Sequence, residues 1–171
     1  MIYNKIYFPK NKCLLPHFAK KATIYTNNKK EHLLMIKEIV KDPLFLAQPS
    51  QPACREDIPI AQDLLDTLAA HASHCVGLAA NMIGVAKRII VIQDGPLRIA
   101  MLNPEISRHS TKSYLTNEGC LSLPGERQTK RYESIEIKYY DLRFHRQKQK
   151  FRGFTAQIIQ HELDHCNGIL I

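Results

Sequence analysis

His161-Glu162-Leu163-Asp164-His165 places two imidazoles four residues apart with a carboxylate between them. On an α-helix that spacing sets both rings on one face, near enough to grip a single metal ion. Glu162 then lies beside the metal, where it can take a proton from water held there. The same pattern also arises on an amphipathic helix as a purely structural feature. Ile158, Ile159 and Leu163 supply apolar surface around it, which predicts a buried helix with His161 and His165 facing inward. Two histidines and a glutamate buried without a partner would be costly, and a metal ion provides one.

A catalytic metal site of this kind needs a third protein ligand and one open position. Ile171 stands where the long HExxHxxGxxH pattern has its third histidine, and a ligand far downstream would need chain beyond Ile171. The third ligand is therefore expected upstream, where Asp, Glu, His and Cys are all available. Cys120 is the best candidate. It sits in Glu118-Gly119-Cys120-Leu121-Ser122, a polar, glycine-containing turn after Tyr114-Leu115 and before Pro124-Gly125. A metal would deprotonate its thiol, and a Cys-His-His set leaves the fourth position for water.

The elements that must position these groups read as α+β: antiparallel strands packed around the C-terminal HExxH helix, with an amphipathic helix nearer the N-terminal side. Asp57-Ile58-Pro59 predicts an N-cap with proline in the first turn. Ala61, Leu64, Leu65, Leu68 and Ala69 then follow at helical spacing as one apolar stripe. Arg88–Gln93 and Leu97–Asn103 read as strands joined at Asp94-Gly95-Pro96, and Ser134–Leu142 alternates as a third. His145–Lys150 reads as a polar connection. The final helix is expected over Thr155–Asn167, with Gly168 at its C′ position.

The 171 residues fit one domain, and the 44% hydrophobic fraction suffices for a core. Five cysteines without regular spacing argue against a disulfide scaffold and fit a reducing compartment. No apolar run reaches membrane-spanning length and no signal-peptide core is present, so a cytoplasmic protein without membrane partners is expected. The net charge of +8 is uneven. Residues 1–34 hold seven lysines and one acid, whereas 17 basic and 15 acidic residues follow from Met35 onward. The basicity belongs to the N-terminal segment, and no specific nucleic-acid partner is expected of the body. Residues 1–34 read as a basic N-terminal extension, either a segment outside the native domain with Met35 as the natural start or a genuine basic arm, and 35–171 as a single metallohydrolase-type domain.

Three motifs, in order, resemble those of the peptide deformylases. They are Val76-Gly77-Leu78-Ala79-Ala80 (G-x-G-L-A-A-x-Q in the family), Glu118-Gly119-Cys120-Leu121-Ser122 (E-G-C-L-S) and Gln160-His161-Glu162-Leu163-Asp164-His165 (Q-H-E-x-D-H). The second and third are complete. The resemblance runs from about Met35 to the end. It implies that Cys120, His161 and His165 hold a divalent metal, Fe²⁺ by family habit, with Zn²⁺ or Ni²⁺ able to substitute. The implied reaction is hydrolysis of the formyl group from N-formyl-methionyl peptides or nascent chains, releasing formate. Glu162 would serve as general base and then acid, and the Leu121 backbone N–H would support the oxyanion. Backbone groups of Val76, Gly77 and Gly119 would pair with the extended substrate as an added strand. Phe154 and Ile158 would help line the methionine pocket, Arg127 matches an arginine at the substrate rim, and Asp164 and Arg131 would form a supporting ion pair.

Two positions depart from the family pattern. Met82 stands where the first motif has its glutamine, and a thioether cannot donate a hydrogen bond to an oxyanion. Cys75 replaces the first glycine. The expectation is therefore a deformylase with a reduced rate, with a catalytically weak or inactive metal- and peptide-binding protein as the alternative. Asn81, beside Met82, carries an amide that would compensate if it faced the site. Some family members dock on the ribosome through a C-terminal extension, and the three residues after Gly168 argue against docking by that route.

Overall fold

Ile89, Ile90, Val91 and Ile92 are four consecutive β-formers, and all four are fully buried. Such a strand must be covered on both faces, and it organises the rest of the chain. The computed structural model describes residues 34–171. The expectation that residues 1–34 form an extension therefore falls outside the described residues, except for Leu34. A short helix α1 (Pro43–Leu46) is followed by α2 (Ile58–Ala70), β1 (Gly77–Ala79), β2 (Ile89–Asp94) and β3 (Leu97–His109). Then come β4 (Ser113–Glu118), β5 (Arg127–Tyr132), β6 (Ser134–Tyr140), β7 (Arg146–Arg152) and α3 (Gly153–Cys166). Among the described residues, β1-β2-β3-β6-β7 form one antiparallel sheet in that order, and β4-β5 a separate hairpin. Both α2 and α3 pack on β2. This is the expected mixed fold built on the C-terminal helix.

Helix α2 starts where Pro59 predicts, and Ala61, Leu64 and Leu68 are fully buried, with Leu65 half-buried. Ala69 is exposed, because the stripe rotates away from the sheet in the last turn. Asp57 is the N-cap residue, yet its carboxylate makes no cap bond. It accepts from the Cys54 backbone N–H at 2.8 Å and pairs with Lys87 at 3.1 Å. The β2–β3 hairpin turns at Gly95-Pro96 as expected. β3 runs on past Asn103 to His109, with register shifts around Pro104 that let the strand pass a residue lacking an N–H.

Two strand regions differ from expectation. The segment read as a polar connection at 145–150 is the edge strand β7. Its side chains are polar on both faces apart from buried Phe151, so no apolar alternation marks it. The hairpin β4–β5 escaped for the same reason: Glu118 and Arg131 are the buried residues within these two strands, and both are charged.

Helix α3 is buried almost all round, from Ala156 to Leu163 and again at His165 and Cys166. Its two glutamines are satisfied by specific partners rather than by solvent. Gln160 accepts from the Tyr132 backbone N–H at 2.9 Å and donates to the Tyr132 and Ala156 carbonyls. Gln157 accepts from the Tyr114 hydroxyl. The helix thereby rests on the sheet and is clamped to the β4–β5 hairpin that carries Cys120. It ends at Gly168 with φ +73°, where an added Cβ would collide with the Ala47 carbonyl oxygen.

Candidate metal centre

His161 and His165 lie one turn apart on α3, their rings edge to face with centroids 5.0 Å apart. Cys120 lies in the loop between β4 and β5. One ligand atom from each of Cys120, His161 and His165 falls within 4.8 Å of the other two. Ligand atoms around one ion at ~2.0–2.3 Å are separated by at most ~4.6 Å, so the three groups are gathered on the scale of one metal site. The three residues expected to ligate are the ones brought together.

The donor set suits a divalent ion. Both ring nitrogens of His165 are buried without a hydrogen-bond partner among the described residues, as is Glu162 Oε2. An orphaned imidazole is costly inside a protein, and a cation removes the cost. Burial and the neighbouring His161 push the His165 pKa down to about 3, which keeps its lone pair available. His161 differs: its Nδ1 meets Glu118 Oε2 at 2.9 Å. That contact orients the ring and leaves Nε2 to face the site. Burial pulls the His161 pKa down, but Cys120 and Glu118 together outweigh it and carry the value to about 10. Three acceptor or anionic groups around one imidazole are thus waiting for positive charge.

Glu118 was quoted within a motif but given no role by sequence reasoning. It is fully buried and chelated by Arg131, with Nη2 to Oε2 at 2.7 Å and Nε to Oε1 at 3.0 Å. Burial pushes its carboxyl up, yet the bonds from His161 and Arg131 prevail and hold it down at about 2. Arg131 reaches on to Asp164 at 2.6 Å, the ion pair the resemblance implies. The signal was present as an acid and a base on paired strands, at positions that otherwise show no apolar alternation.

Glu162 is buried, and desolvation raises its carboxyl to about 7. It faces β1: a Cβ built on Gly77 would fall 2.5 Å from Glu162 Oε1 and 2.7 Å from Ile158 Cγ2. Gly77 is therefore required for the strand to pass this close to the carboxyl. Val76, Gly77, Gly119, Leu121 and Ile158 line the cleft at the ligand set, together with Cys75 and Met82. Phe154 is 38% exposed in the first turn of α3, and Arg127 is exposed at the start of β5; neither lines this cleft.

Both departures from the motif face the cleft. Met82 is buried, and its Sδ accepts from the Ala79 N–H at 3.5 Å. Asn81 does not compensate, because its Nδ2 donates to the His165 carbonyl at 2.8 Å and ties the turn to α3. Cys75 donates its thiol to the Gly77 carbonyl at 3.0 Å, and burial with the nearby Glu162 keeps it protonated, with a pKa of about 12. The Val76 carbonyl accepts from the Gln93 N–H on β2 at 2.8 Å. By antiparallel alternation, Gly77 directs its peptide groups to the open edge of the sheet.

A buried carboxyl beside a three-ligand set, at the wall of a cleft bounded by a strand whose outer side is open among the described residues, defines a hydrolase that works with a divalent ion. Comparison with known proteins names the kind. The polypeptide deformylase family model matches residues 36–171. A peptide deformylase of Clostridium beijerinckii is 58% identical over 137 residues, covering 80% of this chain and all of that protein. One of Synechocystis is 36% identical over 134 residues, covering 73% of this chain and 71% of its own. Among solved structures, a Met-Ala-Ser-bound class I type b peptide deformylase of Acinetobacter baumannii superposes with a TM-score of 0.72. It is 30% identical, covering 80% of this chain and 97% of that one. The actinonin complex of the Vibrio parahaemolyticus bacteriophage VP16T deformylase gives 0.71 at 32% identity, covering 78% and 99%. The chain belongs to the polypeptide deformylase family, a metal-dependent family, and is an enzyme of that kind.

Proposed function

We propose that this chain removes the formyl group from N-formyl-methionyl peptides, with a divalent ion, Fe²⁺ by preference, held by Cys120, His161 and His165. The observation that carries the reading is the buried Glu162 carboxyl, which lines the cleft at that ligand set and lies against Gly77 of β1. When bound, the ion supplies the positive charge that polarises the formyl carbonyl and acidifies water. Glu162 takes the proton as water adds to the formyl carbon. It then delivers a proton to the amine nitrogen as the C–N bond breaks, leaving formate and a free N-terminus. A pKa near neutrality suits a group that must both accept and donate. Glu118 keeps His161 oriented by fixing its Nδ1, and Arg131 holds Glu118 in place. The Leu121 backbone N–H supports the oxyanion.

The substrate is bound as an added strand. β1 lies at the edge of the sheet among the described residues, and Gly77 turns its peptide groups outward. Val76 and Gly119 flank the peptide, and Ile158 floors the methionine pocket. The Acinetobacter enzyme's Met-Ala-Ser ligand has the chemistry expected of a deformylated product. The setting is the cytoplasm, where formylated chains arise and a thiolate ligand stays reduced. Among the described residues no helix is long and apolar enough to cross a membrane.

A catalytically weak or inactive metal- and peptide-binding protein is the second reading, and Met82 favours it. Neither Met82 nor Asn81 offers a donor to the oxyanion, and losing one such donor typically costs a factor of ~10²–10³ in rate. The test is formate release from formyl-Met-Ala by anaerobically iron-loaded protein, alongside Met82→Gln. Turnover in the starting protein supports the first reading. No turnover, with activity appearing in Met82→Gln, supports the second, and absence of turnover in both refutes the deformylase assignment for this chain.

A further inference from the structure

One face of α2 forms a cradle for residues 35–37. Asp66 Oδ2 accepts from the Met35 backbone nitrogen at 2.9 Å, and Thr67 Oγ1 accepts from that of Lys37 at 3.0 Å. The Lys37 ammonium pairs with Asp63 at 3.1 Å. Asp63, Asp66 and Thr67 fall at i, i+3 and i+4, which places them side by side. Asp66 is 6% exposed and Thr67 fully buried, so this is a built site rather than a surface encounter. A carboxylate in that setting is aimed at the main-chain nitrogen of a methionine.

Two counts fall close to this nitrogen. The family model begins at residue 36. The Clostridium protein is matched end to end over 137 residues, which is the number of residues from Met35 to Ile171. Charge points the same way, since most of the excess of basic residues lies before Met35. A peptide N–H at position 35 is a neutral donor to Asp66. An α-ammonium there makes a charge-assisted bond, roughly twice as strong.

We propose that the working polypeptide begins at Met35 and that Asp66 is the receptor for its α-ammonium group. The direct test is intact-mass and N-terminal analysis of the protein purified from its native cell. A 137-residue chain with a free amine on Met35 is expected. Any residue retained before Met35, or a formylated or acetylated Met35, overturns the proposal. The second test reads charge. Among the described residues the buried side chains of the core lie from Leu46 onward, and a chain started at Met35 retains these. Asp66→Asn keeps an acceptor but removes the charge. In the Met35-start chain it is expected to lower the melting temperature by roughly 4 °C or more. An unchanged melting temperature in that chain overturns the ion pair.

Discussion

Replacing Gly77 by alanine isolates the contact between β1 and the Glu162 carboxyl, to which we assign proton transfer. The added Cβ would meet Glu162 Oε1 at 2.5 Å and Ile158 Cγ2 at 2.7 Å, where ordinary carbon contacts begin near ~3.5 Å. Roughly 1 Å of separation must be found, from a strand pinned to β2 by its ladder or from two buried side chains on α3. Overpacking of this kind costs about 1–3 kcal/mol, which a domain of this size tolerates. Catalysis is less forgiving, because a displacement of ~1 Å at a reacting group can lower the rate about 10²-fold. Gly77→Ala is therefore expected to fold, to retain its metal, and to lose about two orders of magnitude in kcat/KM. The assays are formate release, metal content and thermal melting on the same preparation. Activity within threefold of the parent would refute the reasoning, since Glu162 would then be free to move without consequence.

Three further outcomes test the network behind the ligands. Arg131→Met strips the buried Glu118 of its main counter-charge and is expected to cost ~3–5 kcal/mol in urea unfolding. Glu118 is held down at about 2 against an ordinary 4.5, so the unfolded chain takes up its proton first on acidification. The stability this contributes is present above about pH 4.5 and is lost as pH falls toward 2, on the order of 3 kcal/mol. Acid unfolding of chelator-treated protein should show that slope, and Glu118→Gln should flatten it. Cys120→Ala, with both histidines retained, is expected to abolish stoichiometric metal by elemental analysis; unchanged metal content would remove Cys120 from the ligand set.

The parts of the molecule that were legible in the sequence are those where one side chain's chemistry dictates its place. His161 and His165 declare a helix face by their spacing, and Gly168 marks that helix's end because φ +73° excludes a Cβ there. Ile89–Ile92 announce a strand buried on both faces. The parts that stayed hidden owe their order to pairing partners rather than to a pattern of their own. β7 is held by its ladder to β6, and that ladder leaves no apolar alternation to read. Glu118 and Arg131 explain each other only once β4 and β5 are paired, a relation between positions 13 residues apart. Asn81 could be read as a compensating donor until its amide was found on the His165 carbonyl, 84 residues away.

The two edges of the main sheet are finished in opposite ways. β7 carries Arg146, Lys148, Lys150 and Arg152 at alternate positions, so all four exposed cations stand on one face of that edge. Bringing two such edges together would set like charges side by side, which blunts pairing between molecules. β1 carries no charge and is only three residues long before the chain turns away. Strand addition on this side is confined to a short extended segment, too brief to template a second copy of the sheet. The protein can thus leave one edge of its sheet open to peptides in a concentrated solution of its own kind and still resist aggregation.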